Sequence, residues 1–374
     1  MQELLTQSPE SSKASLTAPS WQPADGPLFV VGMFRSGTSL LYALLNQHPR
    51  IALIYEGDLA HLHSLFWLPR TTAQWMAKWS FWNGALPRHN FDASEIPAGI
   101  SDLETAVRAV HVEYARQKKG ATIWGCKSPT YYDEITRLSR TFPNARFVII
   151  WRDPRSICRS IVAAQGDNIF FSRKGMLLRV LLGFHEMKKQ CDRLIRRGGK
   201  VHQLYYEDLV RDPAAVLQKV CAFLEIPFDP KMTRLEGADR SAIQDGSHHK
   251  MVKSEKIVSS TQCPDTLPPK LRSKIERYIH MWTRQYNGTW PLYPQALPEN
   301  TPDPSRWERW RDRIAYLALS RWHHFIPVVF SFVPLPVWKQ YRTFIEARRF
   351  SRLREKNGDV LEAGRVTDGA GGVH

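Results

Sequence analysis

The chain has 374 residues, with 52 Lys+Arg against 36 Asp+Glu, 43% hydrophobic residues and 11% aromatics. A chain of this length buries about three quarters of its unfolded surface and needs neither disulfides nor a structural metal to stay folded. The five cysteines (Cys126, Cys158, Cys191, Cys221 and Cys263) are odd in number and scattered, with no C-x-x-C pair, which argues against a disulfide scaffold or a zinc site and for a reducing compartment. The net charge, 52 − 36 = +16, implies an anionic partner without choosing among nucleotide, sulfated polymer, nucleic acid and membrane surface.

In chain order, residues 1–26 are rich in Ser, Pro and Gln and contain no apolar run suited to a signal peptide, so a disordered lead-in is expected. No stretch of 18 uninterrupted apolar residues occurs anywhere, and the expectation is a cytoplasmic chain without a transmembrane helix. Residues 27–32 (PLFVVG) read as a strand buried on both faces, followed by helical spacing over 39–47. Residues 121–126 and 146–151 (RFVIIW) repeat the buried-strand signature, each before a helical stretch, and 201–205 precedes a further helix at 213–224. Strands alternating with helices imply an α/β fold with a doubly wound parallel sheet flanked by helices. The expected organisation is the lead-in, an α/β domain over 27–298, a helical basic and aromatic extension over 299–356, and a Gly-rich flexible tail over 357–374.

The chemistry concentrates at the turns after those strands. Gly32-Met33-Phe34-Arg35-Ser36-Gly37-Thr38-Ser39 has the G-x-x-x-x-G spacing of a phosphate-cradling P-loop that ends at a helix N-terminus, where unmet N–H groups and the helix dipole hold anions. The Lys that follows the second glycine in an NTPase loop is here Thr38, so a cation for the transferred group must come from elsewhere, and Arg35 inside the loop is the candidate. At the end of RFVIIW stands Arg152. Asp153-Pro154 suits a helix start, which puts Ser160 two turns inside that helix. A guanidinium and a hydroxyl so placed can converge on one dianionic phosphate, each charge-assisted hydrogen bond contributing roughly 1.5–3 kcal/mol.

These elements resemble the sulfotransferase family, which moves a sulfuryl group from 3′-phosphoadenosine 5′-phosphosulfate (PAPS); the resemblance covers residues 27–291. It implies that Arg35, Ser36, Gly37, Thr38 and Ser39 hold the 5′-phosphosulfate and that Arg152 and Ser160 hold the 3′-phosphate. Arg in place of the Lys of the cytosolic small-molecule branch is similar to the carbohydrate and tyrosylprotein branches. Tyr205-Tyr206-Glu207-Asp208-Leu209 resembles the family's Tyr-Glu-Asp-Leu stretch, with Tyr206 beside the 3′-phosphate and the acidic pair capping and orienting a helix. The basic loop around Lys250 and Lys253 resembles the segment that closes over the nucleotide, or is a solvated loop.

A base for the acceptor hydroxyl is also needed. The family's cytosolic branch uses a His two residues after a Lys, but Lys127-Ser128-Pro129 carries Pro there. Glu56, which is 56 − 35 = 21 residues after Arg35, matches the spacing of the base-like Glu of the other branches, with Asp58 as the substitute candidate. Lys127 follows a buried strand and would join Arg35 as an electrostatic clamp on charge built up at the bridging oxygen. No metal is expected, since the adjacent pairs His248-His249 and His323-His324 do not point at one ion.

The acceptor stays open as a hydroxyl or amine of a carbohydrate, a lipid or another small molecule. The aromatic-rich stretch 61–82 either lines its pocket or packs the core. Residues 304–356 hold 12 Lys+Arg and 4 Asp+Glu, a net of +8, interleaved with Trp, Phe and Tyr, and the apolar run 325–338 (FIPVVFSFVPLPVW) is too short and too Pro-broken to span a bilayer. Three readings remain for this segment: docking on an anionic membrane surface, packing on the core, or a homodimer contact. The functional alternatives are a non-catalytic anion- or membrane-binding protein on a degenerate P-loop, and a P-loop kinase. Nucleic-acid binding has only charge behind it and is not expected.

Overall fold

A computed structural model describes residues 21–57, 102–165, 170–243, 267–290 and 301–331, with scattered single positions between and after them. In chain order the elements are β1 (Leu28–Gly32), α1 (Thr38–Leu45), β2 (Ile51–Tyr55), α2 (Leu103–Lys119), β3 (Ile123–Lys127), a 3-10 turn (Pro129–Asp133), α3 (Ile135–Thr141), β4 (Arg146–Trp151), α4 (Pro154–Ala164), α5 (Met176–Arg196), β5 (Lys200–Tyr205), α6 (Tyr206–Arg211), α7 (Pro213–Leu224), a second 3-10 turn (Pro230–Thr233), α8 (Pro269–Gln285) and α9 (Arg306–Ser331).

The five strands form one sheet in the order β2-β3-β1-β4-β5, and every pair is parallel. Alternate strand residues serve opposite faces. Phe29, Val31, Phe147, Ile149 and Trp151 enter one core with α2, α3, α4 and α5, while Leu28, Val30, Val148 and Ile150 enter the other with α1 and α7. Both faces are covered, so the strands read as unbroken apolar runs, and each fully buried Val, Leu, Ile or Phe contributes roughly 1.5–3 kcal/mol. Local signals set the helix ends. Asp102 caps α2 by accepting from the Thr105 amide at 2.8 Å, and Gly120 ends it at φ 59.

Register places the site. Gly32 lies opposite Ile150, Val30 and Tyr55 both lie opposite Lys127, and Trp151 lies opposite Tyr205. The loops that follow β1, β2, β3, β4 and β5 therefore open on one sheet edge, at the carboxyl ends of the strands, where open α/β sheets bind ligands.

The C-terminal helix is built into the body. Glu308 receives two hydrogen bonds from Arg277 of α8 (2.6 and 2.8 Å), buried Asp312 accepts from Tyr278 (3.0 Å) and pairs with Lys274 (2.5 Å), and Ser320 donates to Asp133 (2.7 Å). Tyr316 joins the core beside α5. The helix continues through Pro327 to Ser331, so the run expected to be broken there is helical at its start; Pro327 removes one N–H donor without ending the helix. Among the described residues no helix is long and apolar enough to cross a membrane. Of the lead-in expected over 1–26, residues 1–20 lie outside the described residues, as do the aromatic-rich stretch 61–82 and the tail 357–374, whereas Trp21 Nε1 donates to the Gly120 carbonyl (2.7 Å) and Ala24 N–H to the Thr122 carbonyl (2.7 Å), so the end of the lead-in is fastened to the body.

Candidate active site

The loop between β1 and α1 is shaped by two glycines and one strained arginine. Gly37 has φ 97, and a Cβ there would come within 2.4 Å of the Tyr206 ring; at Gly32 a Cβ would meet Ser36 Oγ at 2.5 Å and the Ile150 carbonyl at 2.8 Å. Arg35 adopts φ 70, a left-handed conformation that costs a non-glycine residue about 1–3 kcal/mol and clusters at functional sites. The turn is closed by Ser36 N–H donating to the Met33 carbonyl (2.9 Å), and α1 begins with Leu41 N–H donating to Gly37 (3.0 Å). The Ser36 hydroxyl is buried and makes no hydrogen bond. A concave loop at a helix N-terminus, holding an orphaned hydroxyl, fits an anionic oxygen as its missing partner.

Three further residues meet this loop. Arg35 Nε donates to Ser160 Oγ at 2.9 Å, Arg152 Nη1 donates to the Arg35 carbonyl at 2.7 Å, and the Arg152 guanidinium stacks 4.2 Å from the centre of the Tyr206 ring. Asp153 accepts from the amides of Arg155 (3.3 Å) and Ser156 (3.0 Å), which starts α4 and sets Ser160 two turns along it. Burial, then the charge of Arg152, lowers the Arg35 guanidinium to about 10, and burial lowers Arg152 as well. Both stay protonated at neutral pH, and a bound anion would relieve their repulsion and desolvation.

The second cluster lies where β2 and β3 end. Lys127, fully buried, donates from Nζ to Glu56 Oε1 at 2.6 Å and to Ser39 Oγ at 3.3 Å, and its ammonium sits 3.9 Å from the centre of the Tyr55 ring. Ser39 Oγ and Tyr55 OH are 2.8 Å apart. Glu56 N–H donates to the Lys127 carbonyl at 2.7 Å, and Glu56 itself has φ 49, so a second left-handed non-glycine residue turns a carboxylate toward the loop. Its side chain keeps 31% exposure while Lys127 has none, so one end of the pair faces outward.

The structure thus brings Arg35, Ser36, Gly37, Thr38, Ser39, Glu56, Lys127, Arg152, Ser160 and Tyr206 to one sheet edge. Asp58 and Lys250 lie outside the described residues. The acidic pair after Tyr206 does something other than cap its own helix. Glu207 accepts from the Asp153 amide at 3.1 Å, tying α6 to the β4–α4 turn, and Asp208 pairs with Arg211. Sequence reasoning missed Tyr55 and Phe171; the Phe171 ring centre is 5.9 Å from the Arg35 guanidinium. Tyr55 could have been found as the last residue of an apolar strand directly before Glu56. Phe171 has no sequence signal beyond being one of two adjacent aromatics. Among the described residues no group of His, Cys, Asp and Glu could hold a metal ion.

Comparison with known proteins identifies the class. A model described as the Sulfotransferase family matches residues 27–230, more than half of the chain. The chain belongs to the sulfotransferase family, whose donor is PAPS. Protein-tyrosine sulfotransferase A of Caenorhabditis elegans is 24% identical over 287 residues, spanning 74% of this chain and 70% of that one. Protein-tyrosine sulfotransferase 1 of Homo sapiens is 32% identical over 143 residues, 37% of this chain and 35% of the relative. Among solved structures, the sulfotransferase domain from the curacin biosynthetic pathway is 20% identical with a TM-score of 0.50, covering 70% of this chain and 99% of that one, which supports the shared fold.

Proposed function

We propose that the chain transfers the sulfuryl group of PAPS to a hydroxyl, with the phenol of a tyrosyl side chain in a polypeptide as the acceptor. The observation that carries the reading is the convergence of Arg35, Ser160 and Arg152 on the loop after β1, to which the Lys127–Glu56 pair is joined by Lys127 Nζ donating to Ser39 Oγ (3.3 Å). The tyrosyl acceptor is supported by relatives named as protein-tyrosine sulfotransferases at 24–32% identity. Bound at this loop, PAPS supplies the sulfuryl group, which passes to the acceptor oxygen as that oxygen loses its proton, leaving adenosine 3′,5′-bisphosphate and a sulfate ester.

Each residue then has a role. The loop amides and the Ser36 hydroxyl receive the 5′-phosphosulfate oxygens; Arg152, stacked on Tyr206, and Ser160 receive the 3′-phosphate. Arg35 and Lys127 neutralise charge that grows on the oxygen left behind, a form of stabilisation that acts strongly in a buried site. Glu56 takes the acceptor proton at its carboxylate, a contribution of roughly 10²–10⁴ in rate. Its ion pair with Lys127 fixes the direction of the carboxylate.

The test has two stages. Adenosine 3′,5′-bisphosphate should raise the melting temperature, whereas ATP with Mg²⁺ should not. Radiolabelled sulfate from PAPS should then appear on tyrosine-containing peptides, and not on matched peptides with Phe for Tyr. Binding of the bisphosphate together with labelling of only a carbohydrate or lipid acceptor would keep the donor half of the proposal and overturn the acceptor half.

A further inference from the structure

The outer face of α9 has a composition the chemistry does not use. Trp307, Trp310 and Ile314 are exposed at 66%, 55% and 48%, and the two indoles stack with ring centres 4.8 Å apart. At about 100° per residue, these three and exposed Ala318 fall within an arc of roughly 80°. The opposite arc carries Asp312, Tyr316 and Ser320, the residues that fasten the helix to the body. Arg306 and Arg313 flank the apolar stripe on one side and Arg311 on the other, all three exposed. Arg313 reaches Glu186 (3.3 Å) and Arg311 reaches buried Asp312 (3.2 Å), and the two arginine side chains keep 44% and 57% exposure.

From this arrangement we infer that α9 docks the protein on an anionic lipid surface, with the indoles entering the headgroup region and the arginines meeting lipid phosphates and carboxylates. The partner follows from the chemistry. A stripe of indoles and one aliphatic residue, bordered by guanidinium groups, matches the layered polarity of a membrane interface, where Trp is favoured because one part of its ring system is apolar and its N–H is wet. The chain's charge of +16, of which +8 lies in residues 304–356, adds long-range attraction to a negative surface. Because the buried face of α9 is pinned by Asp312, Glu308 and Ser320, the stripe is presented on a fixed helix and ordering it costs little on binding. Leu319, on the same helix, packs within van der Waals reach of Gly175 at the start of α5, close behind the loop that carries Phe171. Docking through α9 would hold the candidate site near the lipid surface.

The experiment is co-sedimentation of the full chain with vesicles of phosphatidylcholine containing phosphatidylserine, and with phosphatidylcholine alone. Binding is expected to the mixed vesicles, weaker by at least tenfold to phosphatidylcholine, and released as salt rises from about 0.1 M to about 0.5 M. The pair Trp307→Ser and Trp310→Ser should abolish it. The pair Arg306→Gln and Arg313→Gln should weaken it, each removal costing roughly fivefold. All four sites are exposed, so bisphosphate-induced thermal stabilisation should be unchanged in both variants, which separates loss of docking from loss of folding or of the donor site. The inference is overturned if the parent fails to sediment with mixed vesicles at low salt, if it binds both vesicle types equally, or if the Trp variant binds as the parent does. Concentration-dependent dimerisation abolished by the Trp pair, with no vesicle binding, would also overturn it and assign the face to a second copy of the chain.

Discussion

Replacing Glu56 by Gln separates the structural work of the Lys127–Glu56 pair from its chemical work. Gln keeps an oxygen for Lys127 Nζ at the 2.6 Å contact but removes the charge that balances a fully buried ammonium. Breaking a buried ion pair by removing one partner costs about 3–5 kcal/mol when both ends are buried. Glu56 is 31% exposed and water screens part of the attraction, which reduces the expected loss to about 2–3 kcal/mol. For a folded body of roughly 300 residues, with an unfolding entropy of about 2.1 cal/mol/K per residue, that lowers the melting temperature by roughly 3–5 °C. Turnover should fall by roughly 10²-fold or more, because the carboxylate that accepts the proton is gone, while affinity for adenosine 3′,5′-bisphosphate stays within a few-fold. Lys127→Met, alone and combined with Glu56→Gln, completes the cycle. Met fills the Lys127 stem space without a charge, so the double variant should regain most of the lost stability and none of the lost turnover. Calorimetric melting with and without the bisphosphate, and sulfate transfer measured on the same preparations, give both readouts. If the double variant recovers activity along with stability, or if Glu56→Gln alone keeps more than a tenth of the turnover, Glu56 is a structural partner of Lys127 and the base lies elsewhere.

Gly37→Ala should abolish bisphosphate binding, since the position has φ 97 and the added Cβ would press on Tyr206, and equilibrium dialysis measures the loss. Arg152→Ala and Ser160→Ala should raise the KM for PAPS more than they lower kcat, because both act on the 3′-phosphate end; unchanged bisphosphate affinity in both would refute that placement. His111, fully buried with Nδ1–H donating to the Val107 carbonyl at 2.7 Å, is held down at about 4 by burial. The unfolded chain therefore binds the extra proton first as pH falls, and stability is complete above pH 6.5 and declines between about 6.5 and 4, by up to about 3 kcal/mol. His111→Gln should flatten that part of the stability curve in denaturant titrations at each pH. Truncation before Arg306 should destabilise the body, because it uncovers the Tyr316 site and strands Lys274, Tyr278 and Arg277 without Asp312 and Glu308; a truncated chain that melts like the parent would show α9 to be an appendage.

Much of the fold was legible because it is written locally. The buried strands of a doubly wound sheet are covered on both faces, so LFVVG and RFVIIW stand out as apolar runs, and Asp153-Pro154 marks a helix start by capping chemistry alone. The G-x-x-x-x-G spacing located the loop and Arg35 within it, and the resemblance to the sulfotransferase family singled out Arg152 at a strand end and Ser160 on the helix that follows. Their mutual contacts were not legible. Arg35 donating to Ser160, 125 residues away, depends on the β1–β4 register and on Arg35 entering a left-handed conformation that its residue type disfavours. Lys127 and Glu56, expected in separate roles, become one ion pair only because parallel pairing sets Tyr55 opposite Lys127 and a positive φ turns Glu56 back. The same holds for α9. Its charge and aromatics are properties of the sequence, but the sequence could not divide them between a face that binds the body through Asp312, Tyr316 and Ser320 and a face that leaves Trp307 and Trp310 in solvent. Composition and short-range spacing determine which groups are available and which elements carry them; the long-range register of the sheet and the packing of one helix on another decide which of those groups meet.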